Sequence, residues 1–300
     1  MKRTLYFVNP CRLSLKDCQL IIHKDEESAT TSVPIEDIGI FIIENQQVSI
    51  TIPLISALSQ NNVSVIFCND RHLPQAILHN LETNGWEGQI LRLQADASEP
   101  LRKNAWKQVV ECKIKNQSIL LNKLKKEGGI LKPYYTSVKS GDSDNREGTA
   151  AKLYWKELFG DDFIRDRNSN GINSLLNYGY TILRAATARA LMGSGLMPSL
   201  GLYHHNRGNA FPLADDIMEP YRPFVDEIVY ELCEEGLLDL TIETKMRLIG
   251  ILNRDTRCHD YLKPLSLALS MSTASLAKYY NKEISKLSFP TLPSYEHDKA

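Results

Sequence analysis

The hydrophobic pattern changes period once along this chain, near Trp86, and that change limits the folds open to it. Before it, short runs rich in branched and aromatic residues read as strands over 4–8, 19–22, 38–43, 48–52 and 63–68. Pro53 suits the first turn of a short helix over 53–58. After it, Leu101, Ala105, Val109, Cys112, Ile119 and Leu120 recur at helical steps along 99–126, and Gly128-Gly129 stops that helix. A long helix opens near Asn170-Gly171 and runs through Ala190, its late small residues predicting close packing. Further helices fit 221–236, 241–252 and 263–284. Strands first and helices afterwards predict an α+β chain. A small β-rich N-terminal domain, 1–88, is followed by a larger all-α C-terminal domain, 89–287. A flexible tail, 288–300, carries Pro290 and Pro293.

At 300 residues the chain can bury a large core without disulfide or metal staples. Its 43% apolar and 24% charged residues exclude collagenous and disordered classes. No apolar run is long enough for a membrane helix, and the first one ends at Asn9-Pro10, too short for a signal peptide. The expectation is a cytoplasmic protein with no membrane partner. Six cysteines without a CxxC pair are expected to be free thiols.

The net charge of −1 hides a gradient: residues 1–90 net −4 and residues 91–300 net +3. Residues 92–126 hold nine Lys and Arg, among them Arg102, Lys103, Lys107 and Lys113, against three acids. Such a stretch is either an electrostatic footprint for nucleic acid or a solvated helix face.

Three segments carry residues suited to chemistry. In Asp144-Asn145-Arg146-Glu147-Gly148, a polar loop runs into a helix, and Glu147 either serves a site or interacts with the helix dipole. Arg146 stands at a ligand position of a calcium loop, so an EF-hand is rejected. Gly201-Leu202-Tyr203-His204-His205-Asn206 places adjacent imidazoles in a loop. Asp215-Asp216-Ile217-Met218-Glu219-Pro220-Tyr221-Arg222-Pro223 reads as a capping-box variant, with Asp216 opening the helix at 221–236. That reading leaves Asp215 and Arg222 unexplained. Two carboxylates and an imidazole can hold one hard divalent ion, Mg²⁺ or Mn²⁺, beside a surface that grips phosphates.

Four motifs follow one another in order: Asn145-Arg146-Glu147-Gly148 with Ala151-Lys152-Leu153-Tyr154-Trp155; Asn173 with Asn177-Tyr178-Gly179-Tyr180; Leu200-Gly201-Leu202-Tyr203-His204; and Asp216 through Pro223. Together they resemble the CRISPR-associated spacer-acquisition integrase and endonuclease family, the Cas-one family, in its type II form. The resemblance spans nearly the whole chain and implies a metal site of Glu147, His204 and Glu219, which would also be the catalytic residues. The Gly201-x-x-His204 spacing selects His204 over His205. Asp216, Arg222 and Lys152 are expected to support that site or contact phosphate, and Arg102, Lys103, Lys107 and Lys113 to contact DNA. Trp155 stands where the family more often has a smaller aromatic, a packing change.

The resemblance further implies insertion of short foreign DNA fragments into a CRISPR array. The fragment's 3′-hydroxyl would attack a phosphodiester at each end of the repeat, with Mg²⁺ or Mn²⁺ as cofactor. It implies a homodimer through the N-terminal domain, joined to a small second Cas protein in a heterohexamer that binds fragment and repeat. The alternative enzyme reading is a metal-dependent endonuclease acting on branched or single-stranded DNA. A non-catalytic DNA-binding scaffold is the alternative outside enzymes. His204-His205-Asn206 also hints at a histidine–asparagine nuclease, but the surrounding helical pattern does not suit that motif.

Overall fold

A computed structural model describes residues 2–23, 30–70, 74–78, 87–166, 168–204 and 208–293. The chain divides into two compact units, residues 1–84 and 85–300.

The first unit is built on strand β5 (Ile38–Ile43), whose six residues are all buried. A strand covered on both faces reads as a continuous apolar run, as this one does. It pairs in parallel with β1 (Arg3–Phe7) and with β7 (Ser64–Cys68), and β8 (Pro74–Leu78) closes that edge antiparallel to β7. A second four-stranded sheet has the order β4 (Thr31–Pro34), β3 (Gln19–His23), β2 (Arg12–Lys16), β6 (Ser49–Ile50). Strands β2 and β3 form a hairpin whose two-residue turn, Asp17-Cys18, has φ of 50° and 57°. That left-handed pair matches the strand twist, as a type I′ turn does. Helix α1 (Ile52–Gln60), with Pro53 in its first turn, buries Leu54 and Leu58. They join Leu13, Leu20, Phe41 and Val65 in the core, where the Phe7 and Phe41 rings lie 4.6 Å apart.

The second unit is mostly helical. Its elements are α2 (Glu87–Ala95), α3 (Glu99–Lys123), α4 (Lys132–Tyr135), α5 (Arg146–Phe159), α6 (Ile172–Met192), α7 (Pro212–Met218), α8 (Arg222–Glu234), α9 (Ile242–Ile249) and α10 (Leu265–Tyr280). Short 3₁₀ turns at 128–131, 140–142, 219–221 and 250–253 join them. Helix α6 packs with Ala185, Ala186, Ala188 and Ala190 buried, in line with its small-residue run.

Helix α3 lies against α5, α8 and the 219–221 turn. It buries Ala105, Trp106, Val109, Ile114 and Leu120, and also Lys113, Asn116 and Gln117. Its basic residues divide between core and surface: Lys113 is buried, whereas Lys103 and Lys115 are exposed and Arg102 and Lys107 half-buried. Lys103 pairs with Glu99, Lys107 with Glu111 and Lys123 with Glu227, while Lys126 donates to the Glu157 carbonyl.

The expected all-α domain and flexible tail are each corrected by the structure. A hairpin of β9 (Asp255–Cys258) and β10 (Tyr261–Pro264) stands within the helical unit. The tail is also tied down as far as it is described. Arg257 and Thr291 form an antiparallel bridge, Leu292 is buried, and Asn116 donates to the Pro290 carbonyl at 3.1 Å. Residues 294–300 lie outside the described residues.

Candidate active site

Glu147 is the second residue of α5, and the sequence left open whether it merely tends the helix start. The structure gives that task to others. Asn145, left-handed at φ 51° and ψ 48°, accepts the Gly148 amide on its side chain. A Cβ at Gly148 would come within 2.6 Å of the Asn145 Oδ1, so the cap requires glycine there. Asp142 accepts the Arg146 and Glu147 amides at 2.8 and 3.0 Å. With those donors satisfied, the Glu147 carboxylate is left to accept a hydrogen bond from Lys113 Nζ at 2.5 Å.

Glu219 begins the 219–221 turn, and its side chain is only 4% exposed. Its Oε2 lies 2.6 Å from the same Lys113 Nζ, an ion pair without hydrogen-bond alignment. Its Oε1 lies 2.9 Å from Arg222 Nη2. Burial pushes the Glu219 carboxyl upward, but Arg222 and Lys113 outweigh it and hold it below the usual carboxylate range. Burial likewise pulls Lys113 down, and Glu147 with Glu219 more than reverse this, so its ammonium stays charged. Two glutamates from distant parts of the chain therefore face one cationic position.

His204 is set by Asp216, which does not open a helix. Asp216 lies inside α7, fully buried, and α8 has no side-chain cap. The chain from Gly201 to His204 wraps around its carboxylate instead. Leu202 and Tyr203 donate their amides to Oδ2 at 2.6 and 3.0 Å, and His204 Nδ1 meets Oδ1 at 2.5 Å. A Cβ on Gly201 would stand 2.5 Å from the His204 carbonyl and 3.1 Å from Asp216 Oδ2, which accounts for the Gly-x-x-His spacing. The carboxylate partner assigns the ring proton to Nδ1 and leaves the lone pair on Nε2. The hydrogen bond to Asp216 raises the His204 pKa against burial, with smaller contributions from Glu219 and Glu147. Trp106 meets the imidazole edge-on at 5.7 Å, and Tyr203 stacks on Trp106 at 4.6 Å. His205 lies outside the described residues.

The remaining expected residues divide in two. Arg222 is at the site, on Glu219, with its guanidinium 4.7 Å from the Tyr180 ring centre. Lys113 is there as well, buried between two acids rather than presented to solvent. Lys152 is exposed on α5, Lys103 is exposed and Arg102 and Lys107 are half-buried on α3. Asp215, unexplained by capping, pairs with Arg184 at 2.8 Å. Sequence reasoning missed the roles of Lys113, Asp142 and Asn145. A lysine four residues after Val109, on the buried stripe of α3, was the available signal for the first.

Among the described residues, no three of His, Cys, Asp and Glu close on one ion. Glu147 and Glu219 meet on Lys113 instead, and His204 is held by Asp216. The donor set nevertheless fits a hard divalent ion. Two carboxylates already converge on a single positive charge, and Glu219 Oε2 is buried with no aligned hydrogen bond of its own.

A family model described as CRISPR associated protein Cas1 matches residues 5–259. The CRISPR-associated endonuclease Cas1 of Neisseria meningitidis serogroup C (strain 8013) is 41% identical over 255 residues, covering 84% of this chain and 83% of that one. Among solved structures, a casposase bound to integration product superposes with a TM-score of 0.80 at 22% identity, covering 100% of this chain and 96% of that one. A chain of a Cas6-RT-Cas1–Cas2 complex does so with a TM-score of 0.72 at 19% identity, covering 95% of this chain and 36% of that one. Both solved structures share this fold.

Proposed function

Since the chain belongs to the CRISPR-associated Cas1 family, we propose that it is a divalent-metal-dependent DNA integrase of type II-like CRISPR adaptation. The observation that carries this reading is the convergence of Glu147 and Glu219 on one cationic position. Glu147, Glu219 and His204 would hold Mg²⁺ or Mn²⁺, which supplies charge stabilisation at the phosphoryl group under attack. Asp216 holds His204 in the tautomer that offers Nε2. Arg222 anchors Glu219 from the far side of its carboxylate, and its stacking on Tyr180 keeps it there.

The nucleophile is the 3′-hydroxyl of the incoming fragment. Its oxygen forms a new ester with a phosphate at the repeat end, and the cleaved repeat strand departs with its own 3′-hydroxyl. The bond count is unchanged, so no external energy source is needed. Lys152, Arg102, Lys103 and Lys107 would contact backbone phosphates, giving binding that weakens steeply with salt. The first unit would form the homodimer, and a small second Cas protein would join two such dimers in a heterohexamer. The DNA substrate puts the protein in the cytoplasm. No described helix is long and apolar enough to cross a membrane.

The test is joining of a short duplex to a supercoiled plasmid carrying leader and repeat, with the small Cas partner present. Metal-dependent joining lost in Glu147→Gln is the expected result. Cutting without joining would favour the endonuclease reading. Joining that survives both Glu147→Gln and chelator would remove the metal site from the mechanism.

A further inference from the structure

Lys113 is the least ordinary residue of this site. Its ammonium touches both glutamates, at 2.5 and 2.6 Å, from the middle of a 25-residue helix, and the residue is 8% exposed. Arg222 already supplies one positive charge to Glu219. Two carboxylates, one ammonium and one guanidinium form a neutral set. A divalent ion added to that set would face two cations at contact range in a partly buried site, where like charges repel more than in bulk water. One cation has to leave. Arg222 is held by its stack on Tyr180 and by Glu219 together. Lys113 has a flexible four-carbon stem and can withdraw its ammonium by rotating it, without moving the helix.

We propose that Lys113 is a built-in counter-cation. It holds Glu147 and Glu219 together while the site lacks metal, and it must be displaced from between them for the divalent ion to bind. The proposal rests on the metal-dependent reading and assigns that site a control on its metal affinity. Lys113 is a positioning residue in this scheme. It keeps the buried Glu219 and the partly exposed Glu147 from repelling each other, and the metal competes with it for the same oxygens.

The experiment is Mn²⁺ titration of the full chain, followed by electron paramagnetic resonance of the free ion, on wild type, Lys113→Met, Lys113→Arg and Glu147→Gln. Melting curves are taken in EDTA and in Mn²⁺. Lys113→Met removes the competitor and should bind Mn²⁺ about tenfold more tightly, a coupling of ordinary size between competing sites. It should also melt lower than wild type in EDTA and recover more on adding Mn²⁺. Lys113→Arg keeps the charge in a forked group that grips carboxylates better, and should bind Mn²⁺ several-fold more weakly. A residue with only a packing role would not shift affinity in opposite directions. If wild type binds Mn²⁺ through Glu147 while both Lys113 variants match it, the counter-cation role is wrong and the metal site stands. If no variant binds Mn²⁺, the metal-dependent reading fails and takes this inference with it. Should Lys113→Met fail to fold, the Lys113→Arg affinity decides.

Discussion

The carboxylate of Asp216 and the imidazole of His204 are joined at 2.5 Å, and the same carboxylate gathers the amides of Leu202 and Tyr203. One buried acid thus sets both the path of the loop and the ring at its end. Asp216→Asn keeps the size but loses charge and one acceptor. Integration should fall about 10- to 100-fold, the usual effect of removing the carboxylate behind a ligating histidine. Far-ultraviolet circular dichroism should show the helices intact. Joining at the wild-type rate would disprove the dependence.

Gly201→Ala tests the same turn from the backbone side. The added methyl meets the His204 carbonyl at 2.5 Å, Pro212 Cβ at 3.0 Å and Asp216 Oδ2 at 3.1 Å, so the backbone at His204 has to shift. Activity should drop as in Asp216→Asn, while the melting temperature falls only slightly, because the turn carries little of the core. A large loss of stability with normal activity per folded molecule would be the contrary result.

At the head of α5, Asn145 combines a side-chain cap with left-handed backbone. Asn145→Ala loses the cap and places alanine where asparagine is better tolerated. About 1–2 kcal/mol of stability should go. Asn145→Gly loses the cap but relieves the backbone, so it should cost only a few tenths of a kcal/mol. Denaturant unfolding of the two variants measures the order, and alanine milder than glycine would refute this account.

Asp226 supplies the pH dependence. Burial lifts its carboxyl to about 6, against hydrogen bonds from Tyr180 and Tyr154 and the nearby charges of Arg222 and Arg165. Its folded pKa stands above its unfolded one. The protonated group therefore contributes stability that is fully present below about pH 4 and lost as pH rises through about 6. The contribution is about 3 kcal/mol at most. Asp226→Asn replaces the ionising carboxyl with an amide that stays neutral, so its stability relative to wild type should climb between pH 4 and pH 7. Parallel stability curves for the two proteins would refute the assignment.

Much of this architecture was legible because burial on both faces of β5 and the helical steps of α3 leave plain patterns in the residues. Strand β2 was not legible. Arg12-Leu13-Ser14-Leu15-Lys16 has two apolar residues, and its turn is Asp17-Cys18 rather than an Asn-Gly pair. The β9–β10 hairpin hides for the same reason, with polar Asp255 and Arg257 in its first strand and a turn at left-handed His259. At the site, residue types were readable but their couplings were not. Nothing local says that a lysine in α3 will meet glutamates 34 and 106 positions later in the chain. Nor does the Asp216-x-x-Glu219 spacing reveal that Asp216 looks back to His204, since a capping acid has the same signature.

Helix α3 touches the site at three levels: Trp106 on the His204 ring, Lys113 on both glutamates, and Asn116, whose amide donates to the Pro220 carbonyl at 2.7 Å. Each added residue turns a helix by about 100° and lengthens it by about 1.5 Å. A single insertion or deletion between Trp106 and Asn116 would therefore swing at least one of these three contacts away from the others. Over evolutionary time this stretch can trade one side chain for another, but its residue count is locked, and gaps in alignments of functional descendants should gather in the connecting loops instead.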